Sequence, residues 1–138
     1  RLSALLAPIG VVVIYLGATD PGLQAEYPLA KSLVPTPWAF AALELYYLVY
    51  YWGWEFFFRG FMLFGIERAA GPVLAVGVTI LASTLAHIGK PSGETFAAII
   101  AGVIGGYVAL RTRSILYPIL LHWLLGVATD VFVLLRAP

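Results

Sequence analysis

Five apolar runs divide the chain, separated by short clusters of turn-forming and charged residues. The first covers Leu2 to Ala18, the second Trp38 to Ile66, the third Pro72 to His87, the fourth Glu94 to Leu110 and the fifth Tyr117 to Leu135. A bilayer-crossing helix needs about 20 predominantly apolar residues, so each run reads as one span. Residues 19 to 37 hold Asp20, Pro21, Gly22, Glu26, Lys31, Pro35 and Pro37, and read as a loop. The second run exceeds the hydrocarbon thickness and must tilt, protrude or break, with Gly53 as the expected weak point. Pro72 opens the third span at a first-turn position, where its missing N–H costs little. Gly102 and Gly106 form a G-x-x-x-G, a small-residue face on which membrane helices pack closely.

Composition strengthens this picture. Of the 138 residues 62% are hydrophobic and only 11% charged, against about a quarter charged in soluble domains. Mean hydropathy is +0.94. The expected fold is all-α: a polytopic membrane helical bundle of about five transmembrane helices in a single domain, 1–138. Leu2 onward reads as a span rather than a signal peptide. Because Arg1 stands directly before an apolar run without a Met, the sequence reads as a piece of a longer chain. The net charge of +1 says nothing about nucleic acid, but no basic patch is present, so no nucleic-acid partner is expected. The absence of cysteine excludes disulfide and thiolate chemistry. Arg1, Arg68, Arg111 and Arg113 on one side, against Lys31, Lys90 and Arg136 on the other, lean towards a cytoplasmic 111–113 turn.

Few polar residues interrupt the apolar runs, and these are the candidates for chemistry. Glu55 and Arg59 lie four residues apart, hence on one helix face. Intramembrane charges are expensive, so the pair is either a structural neutralisation or a functional carboxylate oriented by Arg59, with Phe56, Phe57 and Phe58 excluding water. Glu44, three turns earlier, is a second buried acid or an interfacial residue among Tyr46, Tyr47, Tyr50, Tyr51 and Trp52. His87 closes the third run and His122 begins the fifth; they are the only two histidines. With Glu55 they make either a two-His-one-carboxylate metal set or an acid/base set for water attack. Glu94, which with Lys90 follows His87 in the loop, reads as a first-turn acid with Ser92 as cap. Asp130, two turns past His122, either orders that histidine or approaches the far interface.

Glu55-Phe56-Phe57-Phe58-Arg59-Gly60 comes first in chain order, and His87 ends the next run. Gly106-Tyr107-Val108-Ala109-Leu110-Arg111-Thr112-Arg113-Ser114 then precedes Pro118-Ile119-Leu120-Leu121-His122. This order resembles the CPBP family of CAAX prenyl proteases and bacteriocin-processing or immunity proteins, also called the Abi family, over about Trp38 to Leu135. The family pattern is Glu-Glu-x-x-x-Arg, Phe-x-x-x-His and His-x-x-x-Asn or Asp. By position, Glu55, Arg59, His87 and His122 match. Trp54 stands at the first Glu, Ser83 at the Phe and Gly126 at the Asn.

The resemblance implies a multi-pass integral protein of a prokaryotic-type plasma membrane. Its partners are the lipid bilayer and a membrane-bound peptide or protein substrate of prenylated CAAX type. The implied activity is peptide-bond hydrolysis by glutamate-and-histidine chemistry or by a bound metal such as zinc. Glu55 then activates water, Arg59 orients Glu55, and His87 and His122 bind the metal or stabilise the oxyanion. Glu94 offers a second carboxylate where Trp54 removes one. In simple alternation of spans, His87 and His122 fall near opposite faces, over about 10 Å apart, unless tilt, a short third helix or a re-entrant 88–94 loop closes the gap. Two other functions stay open: a catalytically silent binding or immunity protein, suited to Trp54 and Gly126, and a small transporter using Glu55, Arg59 and Asp130.

Overall fold

The computed structural model describes residues 2–31 and 36–136. Arg1 and Pro35, which entered the orientation and loop expectations, lie outside them. The described residues form helices and no strand: α1 (Leu2–Gly17), α2 (Pro21–Glu26), α3 (Pro37–Glu55), a π-helical segment (Phe56–Leu63), α4 (Phe64–Ala70), α5 (Pro72–Leu85), α6 (Ser92–Thr112) and α7 (Leu116–Arg136). The all-α fold class is thus the observed one.

Three boundaries differ from expectation. The 19–37 stretch is not all loop: Asp20 Oδ1 accepts from Leu23 N at 3.0 Å and caps α2, with Pro21 in the first turn. The long second run changes register immediately after Glu55 rather than breaking at Gly53. The third helix ends at Leu85, and its 14 residues span only about 21 Å.

α6 and α7 are each 21 residues long and apolar enough to cross a membrane. Only 28% of either apolar window is buried inside the protein. A soluble core helix of that hydropathy would be mostly covered, whereas these present apolar side chains such as Ile100, Val103, Leu120 and Leu124 outward. An exterior of this kind matches hydrocarbon.

The chain forms two compact units, Arg1–Tyr51 with Leu120–Pro138, and Trp52–Ile119. In the first, α7 is tied to its neighbours by a few specific contacts. Trp123 Nε1 donates to the Glu44 carbonyl at 2.8 Å. Tyr15 meets Phe132 edge-on at 5.3 Å, and the Arg136 guanidinium lies 3.8 Å over the Tyr15 ring. Gln24 Nε2 donates to the carbonyls of Ala18 and Arg136, joining α2 to the end of α7.

In the second unit, α5 packs along the small-residue face of α6. A Cβ at Gly102 would lie 3.0 Å from Ile80 Cγ1, and one at Gly106 3.3 Å from Val76 Cγ2. The G-x-x-x-G therefore acts as the packing seam its spacing suggests. Leu63, Ala75 and Ala109 are fully buried where the π segment, α5 and α6 meet. Gly71, at φ 82°, lets the chain reverse between α4 and α5. Arg113 bonds both carboxylate oxygens of Glu67, at 2.6 and 2.9 Å, and fastens the end of α6 to α4.

Gly102→Leu should lower stability by about 1–3 kcal/mol, because the added side chain meets Ile80. Gly93→Ala, with nothing within 4 Å of its Cβ position, should be neutral or stabilise by up to about 1 kcal/mol. Unfolding by a denaturing detergent in mixed micelles compares the two.

Candidate active site

Glu55 ends α3 and Arg59 sits in the π segment. Both are nearly inaccessible, at 2% and 5% exposure. Arg59 Nη1 donates to Glu55 Oε1 at 3.1 Å, forming the expected i,i+4 ion pair. Bonding from i to i+5 widens this turn, and such insertions recur at functional sites. The guanidinium runs along the backbone of α6: a Cβ at Gly105 would lie 3.5 Å from Arg59 Nε and Nη2. Of the three phenylalanines, only Phe58 is buried; Phe56 and Phe57 are about half exposed and turn outward. Water exclusion at Glu55 therefore falls to Phe58 and its neighbours rather than to the triplet.

His87 lies just past α5, in a turn where its N–H bonds the Thr84 carbonyl at 2.9 Å. Its Nδ1 stands 2.7 Å from the Ser83 carbonyl oxygen. A carbonyl only accepts, so Nδ1 carries a hydrogen and Nε2 is the ring nitrogen left to face a reactant. Thr95 Oγ1 donates to the His87 carbonyl at 3.2 Å, which joins this turn to the first turn of α6. Glu94 is in that turn, where the helix dipole favours an acid. Ser92 is inside the helix instead of capping it, and Pro91 holds the N-cap position. Trp54 packs edge-on against the His87 ring at 5.3 Å, and in a tilted arrangement against Phe58 at 4.7 Å. Trp54, Glu55, Arg59, His87 and Glu94 all belong to the second unit.

His122 and Asp130 belong to the first. The His122 imidazole stacks on Tyr51, with centroids 4.2 Å apart and planes 30° from parallel. Asp130 is buried at 1% exposure and interacts with the Glu44 carboxyl, itself 5% exposed. Glu44 is thus the buried acid of its two alternatives. As two carboxylates, neither side chain has a hydrogen to give, and all four oxygens lack a donor.

Four residues that sequence reasoning missed shape these surroundings: Ser83 through its carbonyl, Thr95, Trp54 as a wall of His87, and Tyr51 as a wall of His122. Trp54 and Ser83 carried a signal as departures from a pattern, and Tyr51 only as one of an aromatic cluster. A surface cavity of about 270 Å³ is lined by Phe64, Glu67, Arg68 and Arg113, none of them a predicted site residue.

A family model described as type II CAAX prenyl endopeptidase, Rce1-like, matches residues 36–128. That is well over half of the chain. The chain belongs to the Rce1-like type II CAAX prenyl endopeptidase family. The match contains Glu55, Arg59, His87, Glu94 and His122, and stops short of Asp130. No curated protein and no solved structure matches the chain. The Rce1-like family is membrane-embedded, in keeping with the outward apolar faces of α6 and α7. Its kind of activity is CAAX-type endopeptidase hydrolysis. Among the described residues, no group of three or more His, Asp and Glu is placed to hold a metal ion.

Breaking the buried ion pair should cost far more than removing it. Arg59→Met leaves Glu55 buried beside an apolar chain, and should destabilise by about 3–5 kcal/mol. Adding Glu55→Gln to that variant should recover most of the loss, as read by the same detergent unfolding.

Proposed function

We propose that this Rce1-like protein is a membrane-embedded endopeptidase. Its substrate is a lipid-anchored peptide or protein of prenylated C-a-a-X type presented from the bilayer. The observation that carries the reading is the buried Glu55–Arg59 ion pair within the family-matched segment. A carboxylate oriented in a dry setting can take the proton of an attacking water, a step worth roughly 10²–10⁴ in rate. Arg59 fixes which Glu55 oxygen faces its own guanidinium and leaves Glu55 its role as base.

In this scheme the water oxygen bonds to the scissile carbonyl carbon and its proton passes to Glu55. The carbonyl π pair moves onto oxygen and forms the oxyanion. Collapse of the tetrahedral species breaks the C–N bond, and Glu55 returns the proton to the departing amine. His87 presents Nε2, because Nδ1 is engaged with the Ser83 carbonyl. A neutral Nε2 accepts, whereas the imidazolium donates, so His87 serves the oxyanion in its charged form. By its place in the family pattern alone His122 is assigned a donor role as well, and Glu94 that of an auxiliary carboxylate. Asp130 is left out: its carboxyl is engaged with Glu44.

A second reading rests on Trp54. Its indole fills the space beside His87 at the position where the family pattern has its first acid. A protein so altered would bind the lipidated segment without cutting it.

Mass spectrometry of a farnesylated C-a-a-X peptide incubated with the protein in liposomes separates the two. Wild type and Asp130→Asn should both shorten the peptide, and His87→Ala and His122→Ala should reduce the rate by at least about 100-fold. Saturable binding by wild type with no shortened product would establish the silent reading instead.

A further inference from the structure

Position 126 lies one turn beyond His122 on α7, so residues there share its helix face. The resemblance pattern has a polar side chain at this position and the present chain has glycine. The volume such a side chain would need is already taken. A Cβ at Gly126 would lie 2.5 Å from Tyr51 Oη and 3.0 Å from both Cε2 and Cζ. The same phenol stacks on the His122 imidazole, centroids 4.2 Å apart. One side chain of α3 therefore meets both turns of α7: its ring lies on His122 and its hydroxyl end in the space over Gly126. A side chain at 126 would push against ring carbons as well as the hydroxyl, so the phenol would have to shift from its present place. Tyr51, His122 and Gly126 all lie in one compact unit.

We propose that Tyr51 is the positioning residue of His122, and that Gly126 is glycine because it admits the Tyr51 ring. An imidazole on a helix can swing about two side-chain torsions. A face-stacked ring at 4.2 Å removes most of that freedom and fixes the direction in which the ring nitrogens point. The significance of this placement for turnover rests on the endopeptidase reading, in which His122 donates to the oxyanion. The placement itself does not.

The two roles are tested in separate arms. The chain has only two histidines, so proton–nitrogen spectra of imidazole-labelled protein in micelles resolve each one, and His122→Ala assigns them. In wild type the His122 ring protons should be shifted upfield by the Tyr51 ring current. Tyr51→Phe keeps the ring and should keep the shift. Tyr51→Leu should abolish it, and Gly126→Ala should reduce it by displacing the phenol. His87 should be unaffected in all three.

In the cleavage arm, Tyr51→Phe should stay within about threefold of wild type. Tyr51→Leu and Gly126→Ala should lower kcat at least about tenfold with KM within twofold, the pattern of a misplaced group rather than lost binding. A His122 shift that survives Tyr51→Leu overturns the proposal. So does a Tyr51→Phe variant as impaired as Tyr51→Leu, since the hydroxyl and not the ring would then be the working part. If wild type cleaves nothing, the endopeptidase reading fails while the spectroscopic arm still decides whether Tyr51 positions His122.

Discussion

A carboxylate and a guanidinium held together out of water constrain everything around them. Taking two charges out of water costs several kcal/mol each, and their attraction repays this only when the geometry is good. The Glu55–Arg59 contact at 3.1 Å is met by local structure on each side. The chain passes from α to π register at Phe56, and Arg59 and Leu63 both turn inward. α6 supplies a bare glycine backbone at Gly105, and the guanidinium lies against it. α5 is brought onto α6 by the neighbouring glycines Gly102 and Gly106, through Ile80 and Val76. The small-residue seam that builds the second unit thus also makes room for its charge.

The histidines are fixed by different means. His87 is held by backbone: its Nδ1 engages the Ser83 carbonyl, and Thr95 grips the carbonyl of His87 itself. The Phe-to-Ser departure at position 83 is mild on this account, because the group that orients the imidazole is a carbonyl any residue provides. His122 is held by an aromatic face, and the Asn-to-Gly departure at 126 is the space which that face requires. Trp54 is a departure of another kind. It places a large apolar ring beside His87 in exchange for an acid, and leaves Glu55 as the family-pattern carboxylate of the Glu-Glu pair.

Helix placement was legible wherever apolar runs met strong punctuation. Pro72, the 88–94 loop and the 111–113 turn fell within a few residues of the observed ends. α2 escaped because six residues are too few to show periodicity; Asp20 followed by Pro21 was its only mark. The π segment escaped because Phe56-Phe57-Phe58 reads alike in either register, and the inward turn of Leu63 onto Ala75 and Ala109 is a tertiary fact. The Glu55–Arg59 pair was legible because intramembrane charge is rare and spacing decides the face. The Glu44–Asp130 pair was not: eighty-odd residues separate its members, and only the packing of α3 with α7 brings two acids face to face.

In the proposed mechanism one carboxylate, Glu55, activates the water. Single-turnover cleavage of a prenylated peptide, with protein in excess, isolates bond hydrolysis from binding and product release. Glu55→Gln keeps the shape and a hydrogen bond to Arg59 but cannot take a proton. Its single-turnover rate constant should fall at least about 100-fold with peptide affinity unchanged. A Glu55→Gln protein that cleaves at the wild-type rate would contradict it.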